Sequence, residues 1–280
     1  MIVRERSVDL ARGDSGIAVR LSGWYRWHEK TLISVSSIAG FFVLWQVAAT
    51  AGWINHLFFS SPIEVGQAAV ADLQTAEFWD SLRQSSIEFV VGFVAAIVVA
   101  VPLGLILGWY RSLGDLLDPW LSFFYALPRI ALIPIILMWI GLTIWSIIVV
   151  VFLGAFFQIL LNTMKGPRVV DERLANVARS YHASDRLTFT TLVLPSSVPY
   201  ILSGLRLGTS RAITGVVIGE FFASTSGLGH EIFLTSISLE SGRLLFATIL
   251  LIALGVIAVE IIQRFERRFA TWRDDYSVNV

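Results

Sequence analysis

Six apolar runs, each long enough to cross about 30 Å of hydrocarbon, mark this chain at residues 31–51, 86–110, 119–140, 143–161, 198–222 and 244–262. The pattern predicts an all-α membrane protein with six transmembrane helices. Pro128 and Pro134 interrupt the third run, where each ring removes a ladder donor and bends the helix. The pairs Gly104/Gly108, Gly204/Gly208 and Gly215/Gly219 place small residues one turn apart, a spacing that lets membrane helices approach closely. The polar parts divide the chain into a lead over 1–30, a membrane domain over 31–263 and a tail over 264–280. The lead is expected to be partly disordered, with a short interfacial piece near Trp24, Tyr25 and Trp27. Residues 52–85 and 223–243 read as loops, the second able to carry a short helix.

One polar segment is patterned differently. Between residues 170 and 192, Leu174, Val177, Ala178 and Tyr181 fall at i, i+3, i+4 and i+7 and share one helix face. Asp171, Glu172, Arg173, Asn176 and Arg179 cover the rest of that helix. Ser184 and Asp185 are natural N-caps and open a second short helix through Leu187 and Phe189. Leu194-Pro195 is expected to break the ladder before the fifth span. Read from its residues, the apolar face either lies on the membrane or its own subunit, or docks another protein.

Composition agrees with the spans. At 55% hydrophobic and 15% charged, the chain carries more apolar surface than a soluble domain can cover. Positive and negative residues cancel, so net charge offers no case for nucleic acid. The absence of cysteine excludes disulfides, thiolate metal sites and cysteine nucleophiles. The four histidines, His28, His56, His182 and His230, make no metal-ligand spacing, and no metal site is expected. The lead, with Arg4, Glu5, Arg6, Asp9, Arg12 and Asp14, is too polar for a secretory signal peptide. The lead, Arg111, the segment with Lys165, Arg168, Arg173, Arg179 and Arg186, and the tail hold nearly all the Lys and Arg. The opposite loops hold only Arg83 and Arg243, so both termini and the 170–192 segment are expected in the cytoplasm.

Charges inside spans are costly and mark candidate sites. Glu88 and Glu260 lie near span ends, where water is expected to reach them. Arg129, between the two prolines, either lines a cavity or pairs with freed carbonyls to hold the kink. Arg211, near the middle of the fifth span, either attracts an anion through its guanidinium fork or joins an internal ion pair. Glu220 lies nine residues on, near the far end. Arg206 is expected to snorkel or support the 170–192 segment. Trp139 either lines the pathway or anchors at the interface, and Gln158 and Asn162 either contact a solute or join helices. Arg129, Trp139, Gln158, Arg211 and Glu220 are thus the candidates for a translocation pathway. No GxxxxGK[ST] phosphate loop, HExxH, EF-hand or GxSxG pattern occurs. The chain shows no catalytic chemistry of its own.

The 170–192 segment resembles the EAA loop of ABC-transporter permease subunits: E-A-A, three residues, Gly, nine residues, Ile-x-Leu-Pro. The E-A-A positions fall on Asn176, Val177 and Ala178, the Gly on His182, the Ile on Leu192, and the closing pair on Leu194-Pro195. Ala183-Ser184, Pro199 to Leu202, Gly204-Leu205-Arg206, Arg211-Ala212, Glu220 and Gly227-Leu228-Gly229 are similar to permeases for sulfonate, taurine, nitrate and related compounds. Upstream, Pro102-Leu103-Gly104, Gly108, Leu117-Asp118-Pro119 and the stretch from Pro128 to Trp139 extend the resemblance to roughly residues 60–270. His182 departs from the family glycine, which allows a turn that a β-carbon penalises; histidine tolerates positive φ better than most side chains.

The resemblance implies a type I importer permease that works as a homodimer in the bacterial inner membrane. It implies cytoplasmic ATPase subunits docked on residues about 171–190, so that ATP and Mg are bound by the partner and no cofactor by this chain. It places Leu174, Asn176, Val177, Ala178, Tyr181, His182, Ala183, Ser184, Leu194 and Pro195 in the ATPase-coupling region. It also implies an external substrate-binding protein and a small, anionic solute such as a sulfonate, taurine, nitrate or bicarbonate. An ion-coupled secondary transporter and a non-transporting membrane scaffold are the other classes compatible with the spans.

Overall fold

The computed structural model describes residues 15–55 and 58–269, with side chains over 33–55, 58–128, 130–171 and 173–267. Eleven α-helices and short 3-10 and π turns account for its regular structure, and no strand occurs among the described residues. The chain divides into two compact units, residues 1–64 and 65–280.

In the first unit, α1 (Ser15–Thr50) includes the first span. It begins well inside the lead that was expected to be partly disordered. No proline occurs before Pro62, so nothing stops the span's ladder from continuing backward through these residues. Residues 1–14, with their six charges, lie outside the described residues, as does His56. Beyond α1 the chain folds back through Trp45, whose indole N–H donates to the Ser60 carbonyl at 3.0 Å and whose ring lies 5.4 Å from Phe59. Ser61 and Glu64 then form a reciprocal capping box: the Ser61 hydroxyl accepts the Glu64 N–H at 3.3 Å, and the Glu64 carboxylate accepts the Ser61 N–H at 2.8 Å. That box starts α2 (Pro62–Asp72), with proline at its first position.

The second unit is built around α6 (Ile144–Arg168), which packs chiefly against α3 (Ala76–Trp109) and α9 (Leu194–Ala223). Val151, Ala155, Ile159 and Leu160 of α6 are fully enclosed, as are Ala96 and Ala100 of α3 and Ala212 of α9. Lipid is as apolar as these side chains, so burying them gains little transfer energy; close packing must hold the helices. All three small-residue pairs serve that purpose by facing α6. A β-carbon at Gly104 would stand 2.9 Å from the Leu160 carbonyl, and one at Gly208 would stand 2.8 Å from Ile159.

The third apolar run differs from a single kinked span. α4 (Arg111–Ala126) and a 3-10 turn over Arg129–Leu132 leading into α5 (Ile133–Ile140) form two arms bent by 84°. Leu127 explains the break: preceding Pro128, it is barred from helical geometry and is extended, with φ −62° and ψ 132°. Among the described residues five helices are individually long and apolar enough to span a bilayer, and the bent pair, counted as one span, makes a sixth.

The expected break at Leu194-Pro195 is also different. Helical structure runs from Asp185 to Ala223 without interruption, through α8 (Asp185–Thr188), a π turn over Phe189–Val193, and α9. The wider π turn relieves the clash between the Pro195 ring and the preceding turn. Hydroxyls support it: Thr190 donates to the Arg186 carbonyl at 2.9 Å and Thr191 to the Leu187 carbonyl at 2.6 Å. The loop over 223–243 carries α10 (Leu228–Ile237), and α11 (Ser241–Phe269) is the last described helix.

Candidate functional sites: an exposed knob and a buried carboxyl pair

The 170–192 segment forms a knob at the arginine-rich end. α7 (Glu172–Ser180) is capped by Asp171, whose carboxylate accepts the Arg173 N–H at 2.8 Å. The helix closes through the Ala183 N–H on the Ala178 carbonyl at 3.0 Å and the His182 N–H on that of Arg179 at 2.9 Å. This closure needs a left-handed residue, and His182 supplies it with φ 55°. Ser184 then caps α8 by accepting the Leu187 N–H at 3.3 Å. Behind the turn, Phe189 meets Trp109 of α3 edge to face at 5.7 Å.

The apolar stripe of α7 is not turned inward. Leu174, Val177 and Tyr181 are 53%, 54% and 84% exposed, and Leu187 on α8 is 52% exposed. Ala178 and Ala183 are half-buried between stripe and turn, while Asn176, His182 and Ser184 are exposed. The Asn176 carbonyl accepts the Ser180 hydroxyl at 3.0 Å, and its side-chain oxygen accepts from Arg179 at 3.3 Å. Leu194 and Pro195 sit where the knob enters α9. Several large apolar side chains thus stand uncovered on one short helical element among the described residues.

The five pathway candidates do not converge. Gln158 accepts from the Tyr125 hydroxyl at 3.4 Å, and Asn162 donates to the Gln158 carbonyl at 2.7 Å. Both line a cavity of ≈ 420 Å³ between α4, α6 and α9, with Lys165 and Arg168 at its arginine-rich end. Trp139, 77% exposed on α5, and Arg211, exposed on α9, do not line it. The Arg129 side chain lies outside the described residues. Arg211 forms no ion pair with Glu220: nine residues along one helix put them about 13.5 Å apart on opposite faces. Arg206 instead pairs with Glu266 of α11 at 3.5 Å.

Glu220, expected to line the pathway, is 0% exposed, and so is Glu88, which was expected to meet water at its span end. α3 and α9 bring them together with α10, 132 residues apart in sequence, at the end opposite the knob. Glu220 Oε1 accepts the Ser85 hydroxyl at 2.6 Å, and Oε2 accepts the Gly229 N–H at 2.6 Å. Ser85 accepts in turn the Leu228 N–H at 2.8 Å. The first two N–H groups of α10, which have no partner within their own helix, are thus capped by side chains of α3 and α9. Gln84 donates to Glu88 at 3.0 Å and to the Ser224 hydroxyl at 3.1 Å, and accepts from the Ser226 hydroxyl.

Gly227 makes this enclosure possible. Its φ is 113°, and any β-carbon there would collide with the Glu220 carboxyl group. Gly227-Leu228-Gly229 therefore does more than turn the loop: it brings backbone donors onto a buried carboxylate. The sequence signal was available in Ser81, Ser85, Glu88 and Gly92, which put small and polar residues on one face of α3. Close by, Arg243 ties α11 to α2 and α10 through Asp72 at 2.9 Å and Glu231 at 3.7 Å, and it meets Glu240 at 3.1 Å. Burial raises the Glu231 carboxyl above its usual range, an effect that Arg243 partly opposes.

Six apolar spans, a tightly packed three-helix centre and a projecting amphipathic knob define a polytopic helical membrane protein. Residues 100–271 match the family described as the binding-protein-dependent transport system inner membrane component, and the chain belongs to it. It is thereby the membrane-spanning permease subunit of an ABC importer. It is 31% identical to a probable ABC transporter permease of Brucella abortus over 76% of this chain and 85% of that one. A putative aliphatic sulfonates transport permease of Bacillus subtilis is 27% identical over 90% of each chain. The taurine transport system permease of Escherichia coli is 25% identical over 90% of this chain and 94% of that one. The fold is shared with an inward-facing structure of the MetNI methionine ABC transporter: TM-score 0.50, 19% identity, covering 68% of this chain and 93% of that one.

Proposed function

We propose that two copies of this chain form the translocation pathway of an ATP-driven importer for a small organic anion of the sulfonate or taurine class. Two cytoplasmic ATPase subunits dock on the knob, and a binding protein delivers solute at the opposite face. The observation that carries this reading is the uncovered stripe of Leu174, Val177 and Tyr181 on α7. It projects from the end where Lys and Arg concentrate, which the positive-inside bias assigns to the cytoplasm together with both termini. The solute class is supported by the relatives named for sulfonates and taurine. Arg211 is free of any ion pair among the described residues and presents a guanidinium fork suited to a sulfonate.

ATP would be held wholly by the partner. Closure of the ATPases moves the knobs, and the difference in knob contacts between the two states is the only route by which nucleotide can bias this chain. Purifying the tagged protein from its native cell, as wild type and as Ala178→Asp, tests the reading. Wild type is expected to bring an ATPase with it at equal stoichiometry and the variant to lose it while still inserting. A wild-type chain that purifies alone, and supports ATP-independent uptake abolished by an ionophore, would replace this reading with ion-coupled transport.

A further inference from the structure

The carboxyl pair between α3 and α9 has no part in the cycle proposed above, yet its chemistry is unusually constrained. Glu88 and Glu220 are both 0% exposed, and Glu220 accepts from Ser85, which lies one turn from Glu88 on α3. Three of their four oxygens have donors: Glu220 Oε1 from Ser85, Glu220 Oε2 from Gly229, and Glu88 Oε1 from Gln84. The fourth, Glu88 Oε2, is sealed from solvent and has no donor. Ser85 and Gly229 approach Glu220 as donors, the arrangement an ionised carboxylate requires, since it can only accept.

Among the described residues no counter-charge neutralises the pair. On α3, Arg83 meets Asp80 at 3.6 Å, and on α11, Arg243 is held by Asp72, Glu231 and Glu240. Glu77, Asp80, His230 and Glu231 line a separate cavity of ≈ 350 Å³ that touches the network only through Ser226. α6 faces the junction with Ile147 against Gly219, and α11 faces Ser85 with Leu251 and Leu254. Two carboxylates sharing one site without a cation cannot both remain ionised.

We propose that Glu88 and Glu220 form a one-proton site, with the proton on Glu88 Oε2 turned toward ionised Glu220, and that this proton keeps α10 seated on α3 and α9. Loss of the proton to bulk water leaves two adjacent carboxylates. They separate, withdrawing Glu220 from Gly229 and Ser85 and returning the first N–H groups of α10 to solvent. In an unfolded chain both carboxyls are ionised at neutral pH, so the seated state binds one more proton and weakens as pH rises. The site requires neither a particular solute nor the ATPase.

The experiment uses the full chain in lipid nanodiscs. Hydrogen exchange of the 224–237 segment, corrected for intrinsic rates, is followed from neutral to alkaline pH for wild type and Glu88→Gln. The glutamine amide replaces the donor but has no proton to lose. Wild-type opening should rise about tenfold per pH unit once the proton begins to leave, the dependence of a single-proton equilibrium. Glu88→Gln should stay protected and flat. Infrared spectra should show the carbonyl stretch of a protonated carboxyl group in wild type, lost in Glu88→Gln. Identical pH profiles, absence of that band in wild type, or protection that follows sodium concentration instead of pH would each overturn the proposal. Should Glu88→Gln fail to insert, the wild-type band and its loss at alkaline pH decide the matter alone.

Discussion

At the knob, Leu174, Val177 and Tyr181 hold apolar side chains out in the open; at the far end of α9, Glu88 and Glu220 hold carboxyl groups where solvent cannot reach them. Each arrangement inverts what its surroundings favour, and each carries a different cost. Uncovered apolar surface outside the bilayer is tolerated when a partner covers it. A buried carboxyl pair is tolerated only when every oxygen is supplied with a donor or a proton. On the proposed docking the knob is complete only with the ATPase seated on it, whereas the carboxyl junction is built within one chain. Substitution at the first should impair work done with partners, and substitution at the second should impair the fold.

The sharpest separation comes from Ala178→Asp. A charge at the half-buried edge of the stripe should abolish solute-stimulated ATP hydrolysis in the reconstituted complex, while thermal unfolding of the isolated permease moves by less than about 1 kcal/mol. Normal stimulation in that variant would mean that the stripe is not the contact. Next in size, Glu220→Ala should leave the Ser85 hydroxyl, the Gly229 N–H and Glu88 without their partner and destabilise the chain by about 2–3 kcal/mol. Unfolding in detergent reads this directly, and an unchanged midpoint would remove the junction from the list of structural supports.

His182→Gly should have a smaller effect, and a stabilising one. It relieves a left-handed conformation at the knob turn at some entropic cost, for a net gain of about 0.5 kcal/mol. A loss of stability would show that the imidazole makes a contact worth more than the strain. Glu231→Gln is expected to be smallest. Because burial raises this carboxyl, the folded chain holds the proton more tightly than the unfolded one, and ionisation costs stability as pH rises through the folded value. The substitution should therefore stabilise at about pH 7, by less than about 0.5 kcal/mol, and do nothing near pH 4. Unfolding midpoints at the two pH values check both statements.

Spans and knob were legible in the sequence because their signals are local. A run such as 143–161 is apolar whatever it packs against, and the spacing of Leu174, Val177 and Tyr181 defines a face before any partner is known. The Gly pairs were informative for the same reason, although nothing in them named α6 as their common neighbour. Proline announces a perturbation in the sequence but not its outcome. Pro128 bent a span into two arms, whereas Pro195 was absorbed by a π turn that Thr190 and Thr191 support. For Glu88, nearness to a span end predicts water only if that end is uncovered. The cover is α10, brought there by Gly227 and held through Glu220. Which faces of α3 and α9 meet is a tertiary fact with no local periodicity to announce it.

The unbroken helical run from Asp185 to Ala223 has a mechanical consequence. At 1.5 Å per residue it is a rod of about 58 Å, with the knob turn at one end and the Glu220 carboxyl near the other. A stiff rod cannot dissipate a displacement the way a loop would, so a tilt imposed at one end arrives at the other.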